Sequence, residues 1–152
     1  MLNIVLYQPE IPQNTGNVAR TCATIGARLH LIRPFGFRLH DPQFRRAGMD
    51  YLEHVELVEH AAWSPFLETV PNRERLFLTS GYATKPYTTV RYERDDYLVF
   101  GREADGLPSE LLEAFAAVTI PMPGAGRGLN LAVSVGIIAF EAVRQITLAS
   151  TS

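Results

Sequence analysis

Three observations predict an α/β fold, a mostly parallel sheet flanked by helices. Short apolar runs rich in branched and aromatic residues alternate with helical stretches along the 152 residues, as in a sheet covered on both faces. Two of these runs empty straight into backbone-rich loops, at Phe100-Gly101-Arg102-Glu103-Ala104-Asp105-Gly106-Leu107-Pro108 and at Ile120-Pro121-Met122. The composition, 47% hydrophobic against 20% charged, is enough to bury a real core, and with no repeat, low-complexity stretch or linker it fits one domain over 1–152.

In chain order, residues 2–7 form a first strand, and a helix over about 15–25 ends at Gly26. Residues 29–32 form a second strand. Ser64 and Pro65 open a further helix, Ser as cap and Pro in the first turn. Residues 75–79 and 97–100 are central strands, 108–115 is a helix, and another strand drains into the Gly/Pro loop after Ile120. The last helix runs from 130 to about 147, leaving 149–152 frayed. Over 131–143 it is apolar on nearly all sides, so it is buried on more than one face. The second face is covered either by another subunit, which the size of the domain favours, or by the rest of the same chain.

Composition excludes several function classes. No apolar run is expected to reach the roughly 18 residues a bilayer span requires, and no basic leader precedes a cleavage site; the expectation is a soluble, cytoplasmic protein without membrane contact. Cys22 is the only cysteine, and the histidines at 30, 40, 54 and 60 lack metal-ligand spacing. No disulfide and no metal are expected. A net charge of −2 argues against a surface that grips nucleic acid everywhere. Yet 33–46 holds four arginines (33, 38, 45 and 46) and one acid, Asp41, with Phe35, Phe37, His40 and Phe44 interleaved. Arginine forks bind phosphates and aromatic rings stack on unpaired bases, so this stretch is either an RNA-binding lip or a solvated loop with its rings in the core.

A third informative segment sits where the first strand gives way to a helix: Pro9-Glu10-Ile11-Pro12-Gln13-Asn14-Thr15-Gly16-Asn17-Val18-Ala19-Arg20. The two later segments are the Phe-Gly-x-Glu-x-x-Gly-Leu-Pro run over 100–108 and Ile120-Pro121-Met122 followed by Arg127-Gly128-Leu129-Asn130-Leu131. In order and spacing the three resemble motifs one, two and three of the SPOUT (SpoU-TrmD) RNA methyltransferases. The opening 1–7, with 29–34 and Arg45-Arg46-Ala47-Gly48-Met49-Asp50-Tyr51, is similar to the branch that methylates the wobble ribose of tRNA. The likeness runs to about residue 145.

The resemblance implies a C-terminal trefoil knot, a homodimer, tRNA as partner and S-adenosylmethionine as cofactor. It assigns Leu78, Thr79, Gly101, Ile120, Met122, Gly128 and Leu129 to the cofactor pocket, where backbone N–H and C=O groups hold an adenine and an amino-acid tail. It gives Arg20, Asn14, Glu103 and Asn130 catalytic roles, and Asn17, Arg38, Arg45 and Arg46 contacts to RNA. Arginine is a poor base because its pKa lies above about 12. Arg20 is therefore expected to contact the substrate phosphate and stabilise the developing alkoxide, taking the proton only if its site depresses its pKa; on residues alone it also reads as a helix residue paired with an acid. Asn14 and Asn130 equally read as helix caps, and Glu103 as a turn acid bonded to backbone amides. The implied role of Glu103 is to order the arginine or the substrate.

The chain departs from the family pattern by carrying Gly128 and Ala132 where relatives usually have serines. If that loop position limits the rate, Gly128→Ser is expected to raise turnover without a large change in fold, and Ser134, two residues along the helix from 132, is not expected to substitute. Outside this reading stand the same reaction at another tRNA or rRNA nucleotide, and a weakened RNA- or cofactor-binding module. A dinucleotide oxidoreductase is more distant, because no Gly-x-Gly-x-x-Gly follows the first strand.

Overall fold

The computed structural model describes residues 1–38, 42, 54–126 and 128–151. Its sheet has six strands: β1 (Asn3–Tyr7), β2 (Arg28–Ile32), β3 (Leu57–His60), β4 (Leu76–Thr79), β5 (Tyr97–Phe100) and β6 (Ala117–Val118). Their order is β3-β2-β1-β5-β4-β6, and every neighbouring pair is parallel. All C-terminal strand ends therefore share one edge. The chain builds outward from β1 through β2 to β3, then crosses to lay β4, β5 and β6 on the other side, so the order reverses between β1 and β5. In open α/β sheets that reversal opens the crevice in which ligands bind.

Both faces are apolar, with side chains alternating by strand position. Ile4, Leu6, Leu29, Leu31, Phe77, Leu98 and Phe100 pack with Val18, Ala19 and Cys22 of α1 (Pro12–Ile25) and with Val135, Ile138, Ala139 and Ala142 of α4 (Leu131–Thr151). Val5, Ile32, Leu76, Leu78, Tyr97 and Val99 turn the other way, toward Phe66 of α2 (Trp63–Glu68) and the residues before and along α3 (Ser109–Ala114). Each fully buried large side chain of this kind contributes about 1.5–3 kcal/mol.

Several boundaries differ from the sequence expectation. Helix α1 begins at Pro12 rather than near 15, because a proline with fixed φ and no N–H suits the first helical position. Asn14 is thus inside the first turn and is not the cap. Helix α2 begins at Trp63, with Phe66 N donating to Ala62 O (3.3 Å), so Ser64 lies within the helix rather than capping it. Helix α4 stays helical through Thr151, where fraying was expected. Strand β3 carries only Leu57 and Val58 as apolar residues before Glu59 and His60 and is not expected from the sequence, whereas β6, the strand expected before the Gly/Pro loop, is cut to two residues.

Also corrected is the expectation about apolar length. Leu131–Ala149 has a mean hydropathy of 1.6, long and apolar enough by length and composition to cross a bilayer. One stripe of it is spent on the core just described, since α4 packs against α1 and β5. Another stripe stays exposed, with Val133, Phe140 and Leu148 each about half accessible.

A polar chain runs through the interior of the sheet. Arg28 Nη1 donates to Asn3 Oδ1 (3.0 Å), and His30 Nε2 lies 2.9 Å from the same oxygen. Because a carbonyl oxygen only accepts, His30 carries its proton on Nε2 and accepts on Nδ1 from His60 Nε2 at 2.9 Å. Burial, with His60 and Arg28 adding repulsion, pushes the His30 pKa down to about 3.

Candidate active site

At the shared C-terminal edge the loops after β1, β4, β5 and β6 enclose an open cleft of about 640 Å³, within the usual range for small-molecule sites. The loop after β5 is closed by a small antiparallel bridge, Arg102 N to Gly106 O (3.2 Å) and Gly106 N to Arg102 O (2.9 Å). It leaves no room at Gly101: a Cβ there would stand 2.3 Å from the Gly106 carbonyl carbon and 2.5 Å from Leu107 N. Only glycine lets β5 turn this tightly.

This loop is clamped to the one after β1. Glu103 accepts from the amides of Glu10 (2.8 Å) and Ile11 (3.3 Å), while Glu10 accepts from the amide of Ala104 (2.9 Å). Gln8 Oε1 accepts from Arg102 Nη1 at 3.0 Å. Among the described residues Glu103 therefore orients backbone amides and no arginine. It holds the backbone that enters α1, a helix start without a side-chain cap, and so joins motif one to motif two.

Asn130 closes the third side. Its Oδ1 accepts from Ala132 N (2.8 Å) and Val133 N (3.3 Å), which makes it the N-cap of α4, and its Nδ2 donates to Asn14 Oδ1 (3.1 Å). Cap and site residue are here the same side chain. Both asparagines line the cleft, Asn14 being almost fully buried.

Most of the sequence-assigned pocket is thus brought together: Thr79, Gly101, Ile120, Met122, Gly128 and Leu129 line the cleft with Asn14, Glu103 and Asn130. Leu78 does not, since its side chain is fully buried beneath the edge with Val5, Val99 and Phe66; strand alternation sends it into the core while Thr79 faces up. Arg20 is not brought to the cleft either. It lies on the exposed stripe of α1 with Gln13, Asn17 and Thr24, because six residues further along a helix place it on a different face from Asn14. Arg38 is exposed in the segment after β2, and Arg45, Arg46 and Arg127 lie outside the described residues.

Two expectations about the missing serines change. Gly128 has φ +145°, a conformation L side chains rarely adopt, so Gly128→Ser strains the loop rather than simply restoring a hydroxyl. Ala132 packs against the core whereas Ser134 lines the cleft, so a hydroxyl is available on that wall after all. Residues not singled out from the sequence include Ser80, Gly81 and Tyr82 on the β4 loop. Tyr82 is 91% exposed at the rim; a lone aromatic in a polar turn gives no periodic signal by which to find it.

The cleft offers backbone groups, small residues and a partly apolar wall formed by Ile11, Met122 and Leu129. Among the described residues no three His, Cys, Asp or Glu side chains gather as a metal would need.

Comparison with known proteins agrees with this architecture. Residues 1–140 match the SpoU rRNA Methylase family. The chain is 46% identical to the tRNA (cytidine(34)-2'-O)-methyltransferase of Escherichia coli K12, over 96% of this chain and 94% of that one. To the enzyme of the same name from Saccharophagus degradans it is also 46% identical, over 99% of both. A structure from work on the 2-OH methylation of C/U34 on tRNA superposes with a TM-score of 0.94 at 53% identity, covering 97% of each chain. An AdoMet-bound rRNA methyltransferase from Sinorhizobium meliloti gives 0.85 at 27% identity, over 94% of this chain and 56% of that one.

Proposed function

The chain belongs to the SpoU rRNA Methylase family, and from that premise we propose that it is a tRNA methyltransferase that modifies the 2'-oxygen of the wobble nucleotide, position 34. The observation that carries this reading is the cleft at the β1/β5 reversal, built from the three motif segments within a chain whose relatives over nearly its full length act on cytidine 34. Cytidine or carboxymethylaminomethyluridine in leucine tRNAs is the finer assignment. Incubating the protein with tRNA and labelled methyl donor, then mapping nucleosides, tests it: the label should appear as 2'-O-methyl at position 34, and its appearance at another nucleotide moves the substrate while keeping the reaction.

S-adenosylmethionine fits the cleft as a nucleoside with an amino-acid tail, since the walls supply backbone donors and acceptors around Gly101, Ile120 and Gly128 with apolar contacts from Met122 and Leu129. Bound there, it supplies an electrophilic methyl on a sulfonium whose leaving group is a neutral thioether. The residues of the chain then have to hold the ribose hydroxyl in line and assist loss of its proton. Asn14, fixed by Asn130, stands in the cleft as a hydrogen-bonding group for the ribose. Arg20 is assigned to the 2'-oxygen and its neighbouring phosphate, reaching a cleft from a second copy of the chain. In support, its position is outside the cleft of its own chain, and α1 packs beside α4, whose Val133 and Phe140 face outward.

The assembly proposed is accordingly a homodimer through α4, and the fold a single α/β-knot domain over 1–152, acting in the cytoplasm. Phe140 is the probe of the interface, because it is half exposed whereas Ile137 packs partly against the core. Phe140→Asp should shift sedimentation from dimer to monomer. Arg20→Ala should lower methyl transfer by about 10²-fold with cofactor affinity nearly intact.

A further inference from the structure

Arg102 is a charged residue of the cleft whose chemistry the reading above leaves unused. It follows β5 at the crevice, half-buried, with its guanidinium carbon 5.7 Å from the centre of the Tyr7 ring. Its Nη1 donates to Gln8, and its Nε is buried without any acceptor. Among the described residues no carboxylate pairs with it; its neighbour Glu103 is turned away to the α1 amides. A half-buried cation with a missing acceptor is costly unless something supplies one. The residue that grips it is itself strained: Gln8 is a non-glycine at φ +47°, and such strain clusters where a side chain must be aimed for function.

We propose that Arg102, aimed by Gln8 and Tyr7, is an anion subsite that takes a phosphodiester of the substrate RNA beside the target ribose. This rests on the methyltransferase reading. Nη2 has neither partner nor full burial, so it meets the phosphate first; a small swing from Tyr7 then opens Nε, completing the two parallel donors that match two phosphate oxygens. Glu103 and Arg102, adjacent in sequence, divide the work. One fastens the protein to itself and the other faces the ligand.

The test measures tRNA binding and the binding of a single-stranded RNA oligonucleotide across a salt series, beside S-adenosylhomocysteine binding by calorimetry. Arg102→Ala should weaken tRNA binding about tenfold and reduce the magnitude of the salt slope by about 0.7, the loss of one phosphate contact, with cofactor affinity unchanged. Arg102→Lys should restore most of the slope but not the affinity, because the charge returns without the fork. Gln8→Gly is the control for folding. It relieves the positive φ and keeps or raises the melting temperature while still weakening RNA binding, which a purely structural Gln8 would not do.

Loss of cofactor affinity with an unchanged salt slope would instead assign Arg102 to the carboxylate of the methyl donor and overturn the proposal. So would intact RNA binding in Arg102→Ala. If the unaltered protein methylates no tRNA, the functional reading fails on that result alone, and the oligonucleotide salt series still decides the subsite.

Discussion

His30 and Arg102 are both basic side chains near the middle strands of the sheet, and the fold treats them oppositely. His30, in β2, has both ring nitrogens engaged, one by Asn3 and one by His60, and is held uncharged. Asp96, fully buried before β5, is likewise complete, taking two bonds from Arg75 (2.7 and 2.8 Å) and one from Glu93 N (2.7 Å). Arg102, in the loop just beyond β5, lacks an acceptor at Nε. Where polar groups close among themselves, they specify the fold; where the fold leaves one open at a crevice, the missing partner comes from outside. Thr15 Oγ1, the other buried unpartnered atom among the described residues, is a weaker case, because a neutral hydroxyl in a helix rotates toward a nearby carbonyl at little cost.

The largest effect is expected from breaking the open side. Gly101→Ala drives a methyl into the Gly106 backbone and should destabilise the protein by about 3 kcal/mol and abolish measurable binding of S-adenosylhomocysteine. Gly36→Ala, where an added Cβ meets nothing within 4 Å, should be silent in the same thermal melts.

The closed side answers to pH. Unfolded His30 titrates near 6.5 and the folded ring only near 3, so between those values the unfolded chain binds the extra proton. Stability is then complete above about pH 6.5 and falls as pH drops toward 3, by about 2 kcal/mol at pH 5. Denaturant melts across that range check it, and a flat profile would mean that the ring is charged in the fold. His60 is pushed down too, by burial, and adds in the same direction.

A smaller loss sharpens the border between the two behaviours. Asn130 is satisfied as a cap yet stands in the cleft, so Asn130→Ala should cost about 1 kcal/mol by thermal melt. Asn130→Asp should keep the cap, because Oδ1 survives, while removing the donor to Asn14; stability near that of the unaltered chain with reduced turnover is the expected split.

The sheet's central strands and the three motif loops were legible because each is a dense local signal: 97–100 is an uninterrupted apolar run, and 100–108 fixes its own turn with glycines. Strand β3 escaped because an edge strand needs only one apolar pair, and the Asn14 cap was misjudged because Pro12 moved the helix start. The clamp between Glu10 and Glu103 joins residues 93 positions apart, which no local pattern records. Arg20 shows the opposite gap: its motif was plain in sequence, but the helix turns it onto an exposed face away from the cleft of its own chain. Leu78 was assigned by likeness alone, and strand alternation placed its side chain below the edge.

The packing of α1 against α4 also bears on synthesis. Val18, Ala19 and Cys22 are shielded by α4, which follows them by more than a hundred residues. At ribosomal rates of about 5–20 residues per second, that inner surface waits on the order of ten seconds for its cover. Cys22 is the natural clock for this interval: burial raises its pKa to about 12, so its thiol is inert once α4 has docked and ordinary before. Alkylation of stalled nascent chains should therefore mark the Cys22 thiol until the final helix has emerged, and chaperone demand should fall at that same length.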